Sequence, residues 1–205
     1  TNSGSGSLQA NDFALSIAGG TATVAITPET IASSGNVYTL GIDLTGTPPD
    51  GAEVLKVVPV NDGIYDAAGN EASTSQSNNT ATLNDQSPPT ITGVALAADN
   101  STIAVTFSEA VYNTNGGSGS LEASDFALSI AGGTATLSSA TPTSISANGN
   151  VYTLGIGLSD IPDGSEVLTV VPVDDGIYDA AGNEASTSQS NNTATLNDQL
   201  LPTIT

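Results

Sequence analysis

The chain has 205 residues, of which 21 are acidic and one is basic, and its formal net charge is −20. Nucleic acid and anionic membrane surfaces are excluded as partners, because the basic side chains that replace phosphate counterions are missing. With neither cysteine nor histidine, the chain has no disulfide, no thiol nucleophile, no Ser-His-Asp triad and no ordinary zinc or copper site, which leaves oxygen ligands of the kind calcium prefers.

The sequence of the first part of the chain is repeated further along. DFALSIAGGTAT at 12–23 returns at 125–136, and DGIYDAAGNEASTSQSNNTATLNDQ at 62–86 returns unchanged at 175–199, both offset by 113 positions. The offset slips to 114 only around GNVYTLGI at 35–42, which returns at 149–156. A repeat of this length is a whole domain rather than one turn of a solenoid, whose units are about 20–50 residues long. Tandem copies favour a structural role over an enzyme.

Runs of apolar residues with a period of two predict short β-strands in each copy. Ile103, Val105 and Phe107 alternate with small or polar residues, as a half-buried strand requires. The pattern predicts, in chain order, strands at 89–98, 102–108, 126–130, 134–137, 152–158, 166–172 and 193–196. The AGG segment at 131–133 is expected to join the third and fourth of these as a hairpin-like connection. No stretch has a helical period, so we predict an all-β fold made of tandem immunoglobulin-like β-sandwich domains.

The two copies differ in extent. Residues 86–198 form a complete repeat, whereas 1–85 carry no counterpart of the opening strands at 89–108, and 199–205 match the start of a following repeat. Two explanations stay open: the chain is a window of a longer array, or it is a polymer subunit whose missing strands come from a neighbour. In either case we expect residues 1–84 to be completed by another segment, since unpaired strand edges favour aggregation.

Two segments resemble those of a known family of domains: PPTITGVALAADNSTIAVTFSEAVY at 88–112 and DGIYDAAGN at 175–183. In order and spacing they are similar to bacterial immunoglobulin-like (Big-type) domains found in tandem in giant adhesins. They are also similar to repeats of large surface proteins tied to swimming motility in marine cyanobacteria. The resemblance covers 86–198 and, without the opening strands, 1–85. It implies a structural or adhesive domain on the bacterial cell surface that often binds calcium near domain junctions.

The expected order of strands places several acidic loops at one end of the domain. Carboxylates crowded there without cations repel one another, and calcium relieves this repulsion by binding about six to eight oxygens. The candidate ligands are Asp85, Glu109, Asp125, Asp175, Asp179 and Asn183, with Asp66 and Asn70 in the first copy. The alternative for DAAGN is a plain turn closed by local hydrogen bonds, and for Glu109 an exposed charge at a strand end.

Functions from three different classes are open to a chain of this composition. The first is a calcium-stiffened extracellular spacer or adhesin module, and the second is a filament subunit assembled by strand complementation. The third, a carboxylate-pair glycosidase, is disfavoured because aromatic residues make up only 4% of the chain. We therefore expect a non-catalytic protein outside a bacterial cell, with neighbouring repeats or subunits, a surface polysaccharide or another cell surface as partners.

Overall fold

The computed structural model describes residues 6–202, in which strands are joined by turns and two short 3₁₀ segments, and no α-helix is found in this range. The chain divides into two compact units, Thr1–Ser87 and Pro88–Thr205. Within the described range no helix has the length and hydropathy to cross a bilayer. The chain is therefore all-β, as its sequence predicts.

Within residues 6–202, seven strands fall in each unit. In the first unit they are β1 (Phe13–Ala18), β2 (Thr23–Val24), β3 (Ile31–Ser34), β4 (Val37–Leu40), β5 (Leu44–Thr45), β6 (Val54–Pro59) and β7 (Thr80–Thr82). In the second unit they are β8 (Ile91–Leu96), β9 (Thr102–Phe107), β10 (Phe126–Ala131), β11 (Ile145–Asn148), β12 (Val151–Gly155), β13 (Val167–Pro172) and β14 (Thr193–Thr195).

The second unit has two antiparallel sheets, in the order β11-β12-β9-β8 and β10-β13-β14. Alternate side chains of both sheets are buried in one cluster, because successive residues of a strand point to opposite faces. Ile103 and Val105 of β9 and Leu168 and Val170 of β13 are each 0% exposed. The cluster also holds Phe107, Phe126 and Tyr152, whose ring centroids lie 5.9–6.2 Å apart. This core lies between two sheets, an arrangement compatible with a β-sandwich.

The expected hairpin across residues 131–133 is wrong. Strand β10 pairs along its whole length with β13, Phe126 opposite Pro172 and Ala131 opposite Val167. Gly132 and Gly133 have φ angles of 83° and 58° and turn the chain away from β10. The backbone N–H groups of Thr134 and Ala135 then donate to the carboxylate of Glu166 instead of to a neighbouring strand. The buried carboxylate of Glu166 thus accepts the hydrogen bonds that a neighbouring strand would accept in a sheet.

Strands β3 and β11, which are rich in serine and alanine, were not predicted from the sequence pattern. Strand β11 pairs with β12 through Asn148 opposite Val151, so that Gly149 and Asn150 form the turn between them. Gly149 has a φ of 58°, the left-handed conformation that two-residue hairpin turns need. The Asn-Gly-Asn segment was the available signal for this hairpin.

The first unit repeats these pairings without a counterpart of β8 and β9. Its strands form a three-stranded sheet β1-β6-β7 and two pairs, β2-β5 and β3-β4. The register of β1 on β6 puts Phe13 opposite Pro59, the same pairing that joins Phe126 to Pro172. Among residues 6–87, no strand lies on the second edge of β4, which in β12 is paired with β9. Leu15, Ala22 and Leu55 are the buried apolar residues in that range.

Candidate functional site

The DAAGN segment of the second unit forms a tight turn around Asp179. One carboxylate oxygen, Oδ1, accepts hydrogen bonds from the backbone N–H groups of Ala181 and Asn183, both at 2.8 Å. The other, Oδ2, accepts from the side-chain amide of Asn183 at 2.7 Å. Gly182 completes the turn with a φ of 92°, which suits glycine. DAAGN therefore forms the hydrogen-bonded turn that was one of its two interpretations. The Asp179 carboxylate still has lone pairs with which it could bind a further ligand.

The same turn recurs in the first unit around Asp66. Its carboxylate accepts from Ala68 N–H at 2.9 Å, from Asn70 N–H at 2.8 Å and from the Asn70 side-chain amide at 2.8 Å. The side-chain amide of Asn70, followed by its backbone N–H, lowers the pKa of Asp66. The surroundings differ, however, because Asp66 is exposed and Asp179 is 0% exposed.

Asp179 is buried because the chain leaving β9 passes over its turn. Tyr112 and Tyr178 form an antiparallel bridge, with N–H to carbonyl distances of 2.7 and 2.8 Å in the two directions. This segment carries Glu109, which is half-buried. One carboxylate oxygen of Glu109 lies within 4.8 Å of one of Asp179.

Two carboxylates at this separation fit a shared cation. Two oxygens that each lie about 2.3–2.6 Å from a calcium ion are separated by at most about 5 Å. The only basic side chain of the protein is a single lysine, Lys56, which is in the other unit, so the charges of Glu109 and Asp179 have no cationic side chain in their own unit. Carboxylate and amide oxygens are hard ligands, so this donor set suits calcium better than a transition metal.

The remaining predicted ligands have local roles. Asp125 closes a 3₁₀ turn, where its Oδ2 accepts from the Glu122 N–H at 2.7 Å, and burial raises its pKa. Asp175 has a φ of 58°, and its Oδ1 accepts from the hydroxyl of Tyr178 at 3.1 Å. Neither of these two places a carboxylate oxygen within 4.8 Å of both Glu109 and Asp179. Asp85 belongs to the first unit, where its Oδ1 accepts from the Ser87 N–H at 2.9 Å.

Each unit also contains a buried glutamate that its sequence pattern did not predict. Glu166 is 0% exposed, and its carboxylate accepts from the N–H groups of Thr134 and Ala135 at 2.9 Å and of Asp163 at 3.1 Å. These backbone hydrogen bonds, the one from Ala135 above all, lower its pKa from 4.5 to about 2. The equivalent Glu53 accepts from Thr21 and Ala22, both at 3.0 Å.

This glutamate ties the loop that follows β10 or β1 to the loop that precedes β13 or β6. The signal for it was the glycine pair that precedes the two N–H donors in each unit: a Cβ added to Gly133 would lie 2.2 Å from the Glu166 carboxyl carbon. Such a close approach of backbone and side chain is open only to glycine. A negative charge fully satisfied by backbone donors is a structural element rather than a free acid or base.

Comparison with protein-family models, with curated proteins and with solved structures finds no match for this chain.

Proposed function

We propose that this protein is a non-catalytic structural module of a bacterial cell surface, built from tandem immunoglobulin-like β-sandwich domains. The observation that carries the proposal is that one set of strand registers and one set of carboxylate-closed turns recur in both units. An active site is ordinarily a single departure from such regularity. Repeated domains that share these features suit a load-bearing or spacing role, in which length and stiffness matter.

The proposal includes a calcium ion bound by Glu109 and Asp179, with the Asn183 side chain as a further oxygen ligand. Asp85, three residues before Pro88 in the chain, remains a proposed ligand on the ground of the sequence alone. Bound calcium would neutralise the carboxylates and fix the linker residues 84–87. In the first unit, Asp66 and Asn70 would bind calcium only when a segment carrying a glutamate equivalent to Glu109 covers them.

A second candidate is a filament subunit whose neighbouring chains complete one another by strand addition. The observation that favours it is the edge of β4 on which no strand among the described residues lies, together with the exposed apolar side chains beside it. Val37 and Ile42 of this region are 67% and 40% exposed. Exposed edges of this kind are pairing sites for another chain.

Labelling of intact source cells tests the surface role. Antibodies raised against the 205-residue chain should bind non-permeabilised cells and mark an outer layer or filaments in electron micrographs. Antibodies preabsorbed with the same chain provide the control. Labelling that requires permeabilisation would contradict a surface function.

A further inference from the structure

The second unit contains both Asn-Gly dipeptides of the chain, Asn115-Gly116 and Asn148-Gly149. At the equivalent positions of the first copy the sequence is Asn2-Ser3 and Ser34-Gly35. Asparagine is a thermolabile residue, and it deamidates most readily before glycine, which has no side chain to hinder attack of its backbone nitrogen on the asparagine side chain. In a folded protein the rate also depends on how firmly the local backbone is held.

Asn115 lies in an exposed loop that is closed by one isolated bridge. Thr114 and Ser118 form this bridge, and the hydroxyl of Thr114 donates to the Ser118 carbonyl at 2.6 Å. Between them, Asn115 and Gly116 are exposed, and a Cβ added to Gly116 would meet no atom within 4 Å. The space around Gly116 is therefore open. Only this short turn must open before the Gly116 nitrogen can reach the side chain of Asn115.

Asn148 is held more firmly than Asn115. It is the last residue of β11 and lies opposite Val151 of β12, which is paired on its other side with β9. The backbone N–H of Phe107 in β9 donates to the carbonyl of Asn150 in the hairpin turn at 3.0 Å. Moving the backbone at Asn148 therefore opens part of a four-stranded sheet, which costs more free energy than opening a loop. The same dipeptide is thus expected to react at different rates in the two places.

The loop that carries Asn115 packs closely against the DAAGN turn. We name residues 113–120 the covering loop. A Cβ added to Gly117 would lie 2.8 Å from the Ala180 carbonyl oxygen, and one added to Gly182 would lie 2.5 Å from the Asn115 carbonyl oxygen. Both distances are too short for a real Cβ, so the two backbones touch at a glycine on each side. A change in the length of the loop backbone must disturb these contacts.

We propose that Asn115 is a site of spontaneous deamidation, which converts it to isoaspartate and loosens the covering loop from the turn around Asp179. The backbone nitrogen of Gly116 attacks Cγ of Asn115, and the new N–C bond closes a succinimide ring. The side-chain amide nitrogen leaves as ammonia and takes with it the proton of the Gly116 N–H.

Water then opens the ring at one of its two carbonyls. Addition at Cγ breaks the new N–C bond and gives aspartate. Addition at the backbone carbonyl carbon breaks the original peptide bond and gives isoaspartate, in which the main chain runs through Cβ and Cγ. In total the reaction consumes one water molecule and releases one ammonia molecule, and it needs no oxidant, reductant or enzyme.

Isoaspartate changes the covering loop in two ways. It lengthens the backbone by one carbon atom at position 115, whose carbonyl now packs on Gly182, so this contact cannot be kept. It also adds a carboxylate close to the turn of Asp179, in a unit whose sequence contains no lysine, arginine or histidine. This inference goes beyond the proposed function and holds whether or not calcium binds.

The experiment incubates the folded 205-residue chain without calcium in mildly alkaline buffer and maps deamidation with a glutamate-specific protease. Cleavage after glutamate gives the peptides 110–122 and 123–166, each with one Asn-Gly dipeptide. The mass gain of deamidation should appear in 110–122 at least about tenfold faster than in 123–166, and fragment spectra should place it at Asn115 rather than Asn113. In urea, where both dipeptides are released, the two peptides should react at similar rates.

The first copy supplies matched control variants. Gly116→Ser introduces the Asn-Ser dipeptide of residues 2–3 and should slow the reaction at Asn115 at least about tenfold, while the open space around Gly116 leaves the fold intact. Asn148→Ser introduces the residue found at Ser34 and should leave the rate at Asn115 unchanged. Equal rates for the two peptides of the folded chain, or a reaction at Asn115 in urea only, would overturn the proposal.

The effect on the covering loop is measured on the isoaspartate form, separated by chromatography. Amides of residues 112–118 and 178–183 should exchange faster than in the unmodified chain. Asn115→Asp adds the charge without lengthening the backbone and should have a smaller effect. Unchanged exchange in the isoaspartate form would overturn the loosening of the loop, and an equal effect of Asn115→Asp would overturn the role of backbone length. Since no calcium is present, either failure leaves the proposed function untouched.

Discussion

Tyr38 and Tyr152 occupy the same position in the two copies of VYTLGI, and both lie in a strand paired on one side with a serine-rich strand. The ring of Tyr152 packs edge-on against Phe107 with centroids 5.9 Å apart, and its hydroxyl donates to the Val111 carbonyl at 3.3 Å. Both partners come from residues 102–112, for which the first unit has no counterpart. The local sequence forms the strand, and a distant segment decides whether its apolar face is buried.

Phe13→Ala and Phe126→Ala should therefore have unequal costs although the two positions are equivalent. Truncating a fully buried phenylalanine costs about 3–5 kcal/mol of unfolding free energy, and less where water already reaches the ring. We expect Phe126→Ala to destabilise the second unit by an amount in this range and Phe13→Ala to destabilise the first by about half as much or less. Hydrogen exchange of β6 and β13 separates the two units. Equal losses of protection would mean that the first core is as well covered as the second.

Glu166→Gln should destabilise the second unit although it removes no volume. The amide keeps one oxygen acceptor but presents an NH₂ group to backbone N–H donors that now face a carboxylate oxygen. The thermal midpoint of the second unit should fall, and more than for the exposed Asp160→Asn control. Gly133→Ala should act in the same direction, because its Cβ would meet the Glu166 carboxyl group. An unchanged midpoint for E166Q would show that the loops are held without this charge.

The same carboxylate should give a pH dependence with a defined sign. The pKa of Glu166 falls from 4.5 to about 2 on folding, because backbone N–H groups stabilise its charged form. A carboxyl group with a lowered pKa stabilises the fold fully above pH 4.5, and this contribution is lost as the pH falls towards 2. The difference in urea midpoint between wild type and E166Q should thus be constant at neutral pH and shrink between pH 4.5 and 2.

Comparing wild type with E166Q separates the contribution of Glu166 to the pH dependence from that of the overall net charge. With a net charge of −20, acidification also relieves general repulsion and stabilises the fold, so the wild-type curve alone mixes two opposite effects. E166Q shares the general effect and lacks the local one. A difference that stays constant down to pH 2 would contradict a lowered pKa at Glu166.

The sequence predicted those parts of the fold that depend on local alternation. Ile103, Val105 and Phe107 are buried as their spacing indicates, and the strand at 166–172 is confirmed with one residue less. The period of two is set by strand geometry itself, which is why it can be read locally. Strand β11 was not predicted because serine and alanine at its exposed positions give little apolar alternation.

The candidate site was less accessible from sequence. That Asp179 and Glu109 lie close could be inferred from the reversal of successive strands, but the burial of Asp179 depends on the bridge between Tyr112 and Tyr178. Glu166 was not recognised because its partners are backbone N–H groups, which every residue type except proline supplies, and because the glycine pair that makes room for it was interpreted as a hairpin turn. The hairpin at 131–133 was wrongly predicted for the same reason: Gly132 and Gly133 make room for the buried Glu166 side chain and do not join two paired strands.

Calcium should stabilise the second unit through Glu109 and Asp179. A ligand that binds only the folded state at a hundredfold excess over its Kd stabilises it by about 2.7 kcal/mol. The thermal midpoint of the second unit should therefore rise with millimolar calcium and fall back with chelator. Magnesium, which demands about six ligands in strict octahedral geometry, should have a smaller effect.

E109Q should weaken the calcium response and keep the turn around Asp179, which does not use Glu109. Asp160→Asn, an exposed carboxylate elsewhere in the same unit, should respond like wild type. If calcium leaves the midpoint unchanged and calorimetry detects no binding, DAAGN is a turn and nothing more, and the repeat is a spacer stiffened by its packing alone.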